Sequence, residues 1–286
     1  MRHIVHAIVV ALSLLILAGW SVAMQPQDSH DSDPEGMQFE SPDPVRSDVN
    51  PLIEGRRLLK KGVSQNDLDA MYSARAIFER ALTDTVHSVW GHYYVGLADY
   101  RIANVLLAQG EKSEADASEH LRKAVKHLQI AKRAVDNREE INEIAAEVCA
   151  LLSNVYGRQI SLSPIKGIYL GPKAKSVLGR AEQLAHANPR VVLSSAMSYL
   201  MTPRLVGGNK AKAMAGFRHA ANLFAREKPV DPIRPVWGHS DTYIWMGVAY
   251  LERRDRDAAR EAFKKALEID PDSRWAREML SGDSAR

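Results

Sequence analysis

The feature that most constrains this chain is the stretch "DTYIWMGVAYLERRDRDAAREAFKKALEIDP", Asp241 to Pro271. Small and large apolar residues recur in it at helical spacing. Tyr243, Met246, Gly247 and Tyr250 precede the polar break "ERRDRD"; Ala259, Phe263 and Ala266 follow it. The pattern predicts two amphipathic helices folded back on one another. Gly247, Ala259 and Ala266 fall where the two rods approach most closely, and a larger side chain there would push them apart. Tyr243, Tyr250 and Phe263 fill the wider spaces. Pro271 ends the second helix, because it lacks a backbone donor and disfavours helical geometry in the residue before it. One such hairpin cannot bury its apolar face alone, so it needs neighbours to stack on.

The second-helix half of the pattern recurs upstream. "ARAIFERA" gives Ala74, Phe78 and Ala81; "AVKHLQIA" gives Ala124, Leu128 and Ala131; "AMAGFRHA" gives Ala213, Phe217 and Ala220. "VLGRAEQLAHANP" gives Val177, Ala181 and Leu184, closed by Pro189. An apolar-periodic first helix precedes each. That makes about five helix pairs from Pro51 to Pro271, and "DSRWAREML", with Asp272 or Ser273 at its start, reads as an end cap. The spacing resembles the tetratricopeptide repeat, closely in the last unit and loosely in the others. The resemblance implies an all-α fold: a right-handed superhelical α-solenoid of about five hairpins plus a C-terminal capping helix, over residues 51–286.

Two units depart from the 34-residue period of that family. Inserts are expected at about 157–176 and 201–212, carrying Lys166, Lys173 and Lys175 in one and Arg204 and Lys210 in the other. In a solenoid, inserts project from one edge and often bear on binding. A link with Pro229, Pro232 and Pro235 separates the last two units and is expected to be stiff and extended.

The first residues follow other rules. "MRH", the apolar run "IVHAIVVALSLLILAGW" and the small pair Ser21 and Ala23 read as a secretory signal over 1–23, cut after Ala23. The run is long for a signal, so an uncleaved membrane anchor is the alternative. Either places the chain outside the cytoplasm, periplasmic or secreted, or anchored by this segment, and no cysteine follows that would carry a lipid. Residues 24–50 hold seven acids against one base, Arg46, with several prolines, which is the composition of a disordered acidic linker. The whole chain is at +3, which leaves the remaining body near +8.

Stacked hairpins expose an inner surface lined by their first helices. Counting from the anchors places Tyr94, Arg101, Leu151, Asn154, Arg158, Leu193, Met197, Trp245 and Val248 on that concave face. The stripe is largely apolar. It predicts a groove for a protein or peptide partner, with the insert lysines adding charge attraction. An apolar small molecule inside a closed superhelix, associated with solute uptake, is the alternative. Some tetratricopeptide proteins clamp a peptide's terminal carboxylates with Lys and Asn at such positions, but Ile244, Val248 and Ala150 stand there instead. A third possibility is that the leader or an insert fills the stripe.

Other chemistry finds little support. "SPIK", Ser163 to Lys166, matches S-x-x-K, but Pro164 and Gly167 put it in a loop and the companion motifs are missing. His120 and His127 lie two helical turns apart, yet no adjacent carboxylate or thiol completes a metal site, so both are expected on a polar surface. No glycine-rich phosphate loop occurs, so no cofactor and no catalytic residue is assigned. The bases read as spread out, which argues against nucleic acid. The single cysteine, Cys149 in "AAEVCALL", reads as a small buried hydrophobe. The expected function is therefore a non-catalytic scaffold in an envelope or transport assembly.

Overall fold

A computed structural model describes residues 50–83, 88–136, 142–228 and 231–284. The expected signal, and the acidic linker up to residue 49, lie outside them. Eleven α-helices and no strand occur among the described residues: α1 Pro51–Gln65, α2 Leu68–Arg80, α3 Ser88–Ala108, α4 Glu114–Val135, α5 Asn142–Leu162, α6 Gly167–Leu184, α7 Pro189–Met201, α8 Lys210–Arg226, α9 His239–Glu252, α10 Arg256–Ile269 and α11 Arg274–Ser284. They pair as five antiparallel hairpins, α1–α2 through α9–α10, with α11 laid on the last. This is the expected all-α solenoid with its cap.

Local sequence explains the starts. Asn50, Asp67, Asn188, Asn209 and Asp255 each turn a side-chain oxygen onto backbone N–H groups of the helix that follows. Pro51 and Pro189 occupy the first helical position, where a missing N–H costs nothing. Ser273, one of the two expected caps of α11, accepts from Ala276 N–H at 3.3 Å.

In the first, second and fifth hairpins a glycine on the first helix faces a large residue on the second. A Cβ on Gly247 would lie 2.2 Å from Phe263, on Gly55 2.5 Å from Phe78, and on Gly96 2.7 Å from Leu128. Ala259 and Ala266 are fully buried beside Phe263. In the third hairpin Ala146, Cys149 and Ala150 meet Ala181. Cys149 is 1% exposed, and burial pushes its thiol up to about 11.

The first expected insert is mostly helix. Helix α5 continues to Leu162 and α6 begins at Gly167, joined by one 3₁₀ turn at Pro164–Lys166. The unit is long because its helices are long, with Pro172 tolerated in the second turn of α6. The second insert is a genuine loop of residues 202–209 between α7 and α8. The two ends of the solenoid meet: α11 packs on α1, and Ser64 Oγ at the end of α1 donates to Asp270 Oδ2 after α10 at 2.6 Å. No helix among the described residues is long and apolar enough to cross a membrane.

Candidate functional site

The concave face is where the molecule departs most from expectation. Its centre is filled by the chain itself, through residues 231–238 of the link before α9. Tyr94 Oη donates to the Ile233 carbonyl at 2.5 Å, and Trp237 Nε1 donates to Tyr93 Oη at 2.9 Å. Arg56 on α1 and Arg190 on α7 donate to the carbonyls of Arg234 and Pro235, both at 2.5 Å, and Arg234 pairs with Glu143 of α5. Ile233 and Trp237 pack on the core of the first three hairpins, and Trp237 also on that of the fourth. Proline rigidity, foreseen as a spacer, instead presets the segment to cross four first helices at low entropic loss.

The nine expected groove residues consequently divide. Tyr94, Leu151 and Leu193 are fully buried and Val248 is 8% exposed, so these four are core and line no open groove. Tyr94 does face the concave side and is buried because the link lies over it, its hydroxyl on the Ile233 carbonyl. Arg101 makes a two-pronged ion pair with Asp241 of α9, at 2.6 and 3.2 Å, and stacks over Trp237. Asn154 Nδ2 donates to Ser194 Oγ at 2.9 Å. Met197 and Trp245 are half-buried against the core of the fourth and fifth hairpins, with Trp245 edge-on to Trp275.

Arg158 is different. One turn beyond Asn154 on α5, its Nε is buried without a hydrogen-bond partner, and no carboxylate among the described residues reaches its guanidinium. Burial pulls its pKa down, with the Tyr100 hydroxyl opposing. Even a partly desolvated cation without a counter-charge is costly unless something else supplies one.

Sequence reasoning missed a buried ionic network beneath the link. Arg190, 1% exposed, meets Glu227 at 2.6 and 3.0 Å and Glu147 at 3.4 Å, and its guanidinium lies over Phe224. Glu147, 4% exposed, also accepts from Asn188 Nδ2 at 2.9 Å and Tyr93 Oη at 3.3 Å. Burial pushes the Glu147 carboxyl above the usual carboxylate range, against the pull of Arg190. Burial alone would lower Arg190, but Glu147 and Glu227 outweigh it and hold the proton. The Glu147 carboxylate is therefore central to the core.

The histidines also differ from expectation. His120 is 8% exposed, and its Nδ1 lies 2.7 Å from Asp99, which Arg75 pairs with as well. His127 faces His92, with the two Nδ1 atoms 2.9 Å apart. The antiparallel α3–α4 register brings 92 against 127 and 99 against 120, a pairing invisible to spacing within α4 alone. No group of three or more metal-ligating side chains occurs among the described residues. Ser163 and Lys166 sit at the 3₁₀ turn, a loop as expected.

The family model described as Tetratricopeptide repeat matches residues 240–273, the α9–α10 hairpin and the turn that follows it. The last hairpin is a tetratricopeptide repeat. Of the four hairpins before it, the first two share its small-against-large crossing, while the third and fourth set small residues on both helices. Among solved structures, the HusA haemophore from Porphyromonas gingivalis aligns at TM-score 0.51 and 20% identity, over 70% of this chain and 92% of that one. YrrB, described as a tetratricopeptide protein with an unusual peptide-binding site, aligns at 0.36 and 19%, over 81% and 91%. At these identities the HusA likeness is one of fold. No curated protein sequence matches the chain.

Proposed function

We propose that this is an exported, non-catalytic binding protein whose concave face takes an anionic group of a protein or peptide partner beside Arg158. The observation that carries the reading is the half-buried Arg158, whose Nε is cut off from water and which has no ion-pair partner among the described residues, whereas Arg101 and Arg190 are both neutralised from within. A carboxylate arriving there would meet a planar donor already partly desolvated at Nε. Met197 and Trp245 offer apolar contact for the residues preceding it, and Asn154 a polar one.

The central link narrows the groove. The partner is thus expected to engage the margin of the concave face rather than run its length. Export rests on the N-terminal apolar run and small-residue pair, and the envelope or transport setting on analogy with exported tetratricopeptide proteins. A second reading, an acidic apolar small molecule held inside the closed superhelix, draws on the contact between the two ends and on the haemophore fold neighbour.

A photo-crosslinking side chain at Met197, introduced in the native cell, tests the choice. A polypeptide captured with Arg158 present and lost in Arg158→Glu supports the proposal. Capture unaffected by Arg158→Glu contradicts it. Native mass spectrometry that finds a bound mass of a few hundred daltons instead favours the small molecule.

A further inference from the structure

Charge along the chain is far more uneven than its total suggests. Between Val148, in the second turn of α5 of the third hairpin, and Arg226, at the end of the fourth, eleven lysines and arginines face one acid, Glu182. The same two hairpins hold most of the large apolar side chains left in water. Leu205 is 99% exposed, Ile168 76%, Val206 72% and Ile165 70%, with Tyr169 and Met201 beside them. In a stacked array the turn joining the two helices of each hairpin falls on one edge. The 3₁₀ turns 164–166 and 204–206 are such turns in adjacent hairpins, so these side chains project from one edge together.

The turns are built, not frayed. Val206 and Gly208 N–H groups donate to the Pro203 carbonyl at 3.0 and 3.1 Å, and Asn209 N–H to the Tyr199 carbonyl at 2.9 Å. Gly207 has φ +109°, and a Cβ on Gly208 would strike the Thr202 carbonyl at 1.8 Å. The fold therefore holds Leu205 and Val206 outward in a fixed shape. Around them Lys166, Lys173, Lys175, Arg204 and Lys212 supply positive charge, with the Lys173 ammonium over the Tyr169 ring.

We infer that this edge docks on an anionic lipid bilayer. Protruding aliphatics at turn tips have no shared groove for a peptide, but each fits separately into the headgroup–acyl boundary. The basic collar matches the negative surface of such a membrane. A second copy of the chain would set like charges against one another, and single-stranded nucleic acid asks for aromatic platforms where aliphatics stand.

Spin labels on the full chain test this. The native Cys149 is buried, so Val206→Cys and, on the opposite edge, Arg133→Cys can be labelled selectively. With phosphatidylglycerol vesicles, the label at 206 is expected to lose at least about fivefold of its accessibility to a water-soluble relaxant, while that at 133 is unchanged. The triple variant Ile165→Asp/Ile168→Asp/Leu205→Asp, altered only at exposed positions, should abolish the change at 206. The inference is overturned if 206 stays as accessible as 133, if both sites lose accessibility alike, if phosphatidylcholine serves equally, or if RNA or an acidic polypeptide produces the same protection without lipid.

Discussion

Replacing Arg190 with leucine probes the buried network at its hinge. The change removes the guanidinium that meets Glu147, Glu227 and the Pro235 carbonyl, and leaves Glu147 inside with only Asn188 and Tyr93 as donors. Breaking a buried pair from one side costs about 3–5 kcal/mol. Glu227 is partly exposed and can turn to water, so most of the loss falls on Glu147. That gives the loss a pH signature. Burial already raises the folded pKa of Glu147 above its unfolded value of about 4.3, and losing Arg190 raises it further. An acid raised in this way destabilises the fold only once the unfolded chain ionises. The deficit of Arg190→Leu is therefore small near about pH 4 and grows as pH rises to about 8. Urea unfolding followed by circular dichroism at both pH values measures it. Adding Glu147→Gln to Arg190→Leu removes the stranded charge and should restore about 2 kcal/mol at pH 8. Equal stability of the single and double variants at pH 8, or a deficit independent of pH, would refute the reasoning.

Three further outcomes follow from other contacts. Gly247→Leu drives a side chain into the Phe263 ring and should cost at least about 1–3 kcal/mol in urea unfolding, whereas Gly179→Ala, open around its Cβ position, should cost little. Cys149 should react with a thiol reagent at pH 8 at least about 100-fold more slowly in the folded chain than in urea. Burial lowers both His92 and His127, aided at His92 by the charge of its partner. Stability they contribute is present above the unfolded histidine pKa of about 6.5 and is lost as pH falls from there through the lowered folded pKa; thermal melts of His92→Gln/His127→Gln should show a flatter dependence between about pH 5 and 7.

How much of this was legible depends on how local its cause is. The α9–α10 hairpin could be read because every anchor of its crossing lies within one repeat. Caps were legible for the same reason: an oxygen and the N–H it serves are two or three residues apart. The network of Glu147, Arg190 and Glu227 joins residues 37 to 43 apart, on two helices and the end of a third, so no spacing rule reaches it. Tyr94 and Arg101 do lie on the concave side, but the link covers them, and a contact 139 residues away leaves no trace in local spacing. The central link was misjudged because proline content speaks of stiffness and not of destination. One signal was present and overlooked: a stretch from Val148 to Arg226 with Glu182 as its single acid is visible without any structure.

The account turns on a solenoid closed on itself, with its own link across the concave face and only the margin near Arg158 left for a ligand. Pairing Ser64→Cys with Asp270→Cys tests that closure most directly, because the native side chains touch at 2.6 Å. Closure predicts that mild oxidation forms a disulfide within one chain, seen as faster migration on a non-reducing gel and loss of two titratable thiols. Two thiols that stay free and react readily with a labelling reagent would mean that the ends stand apart, contradicting the account.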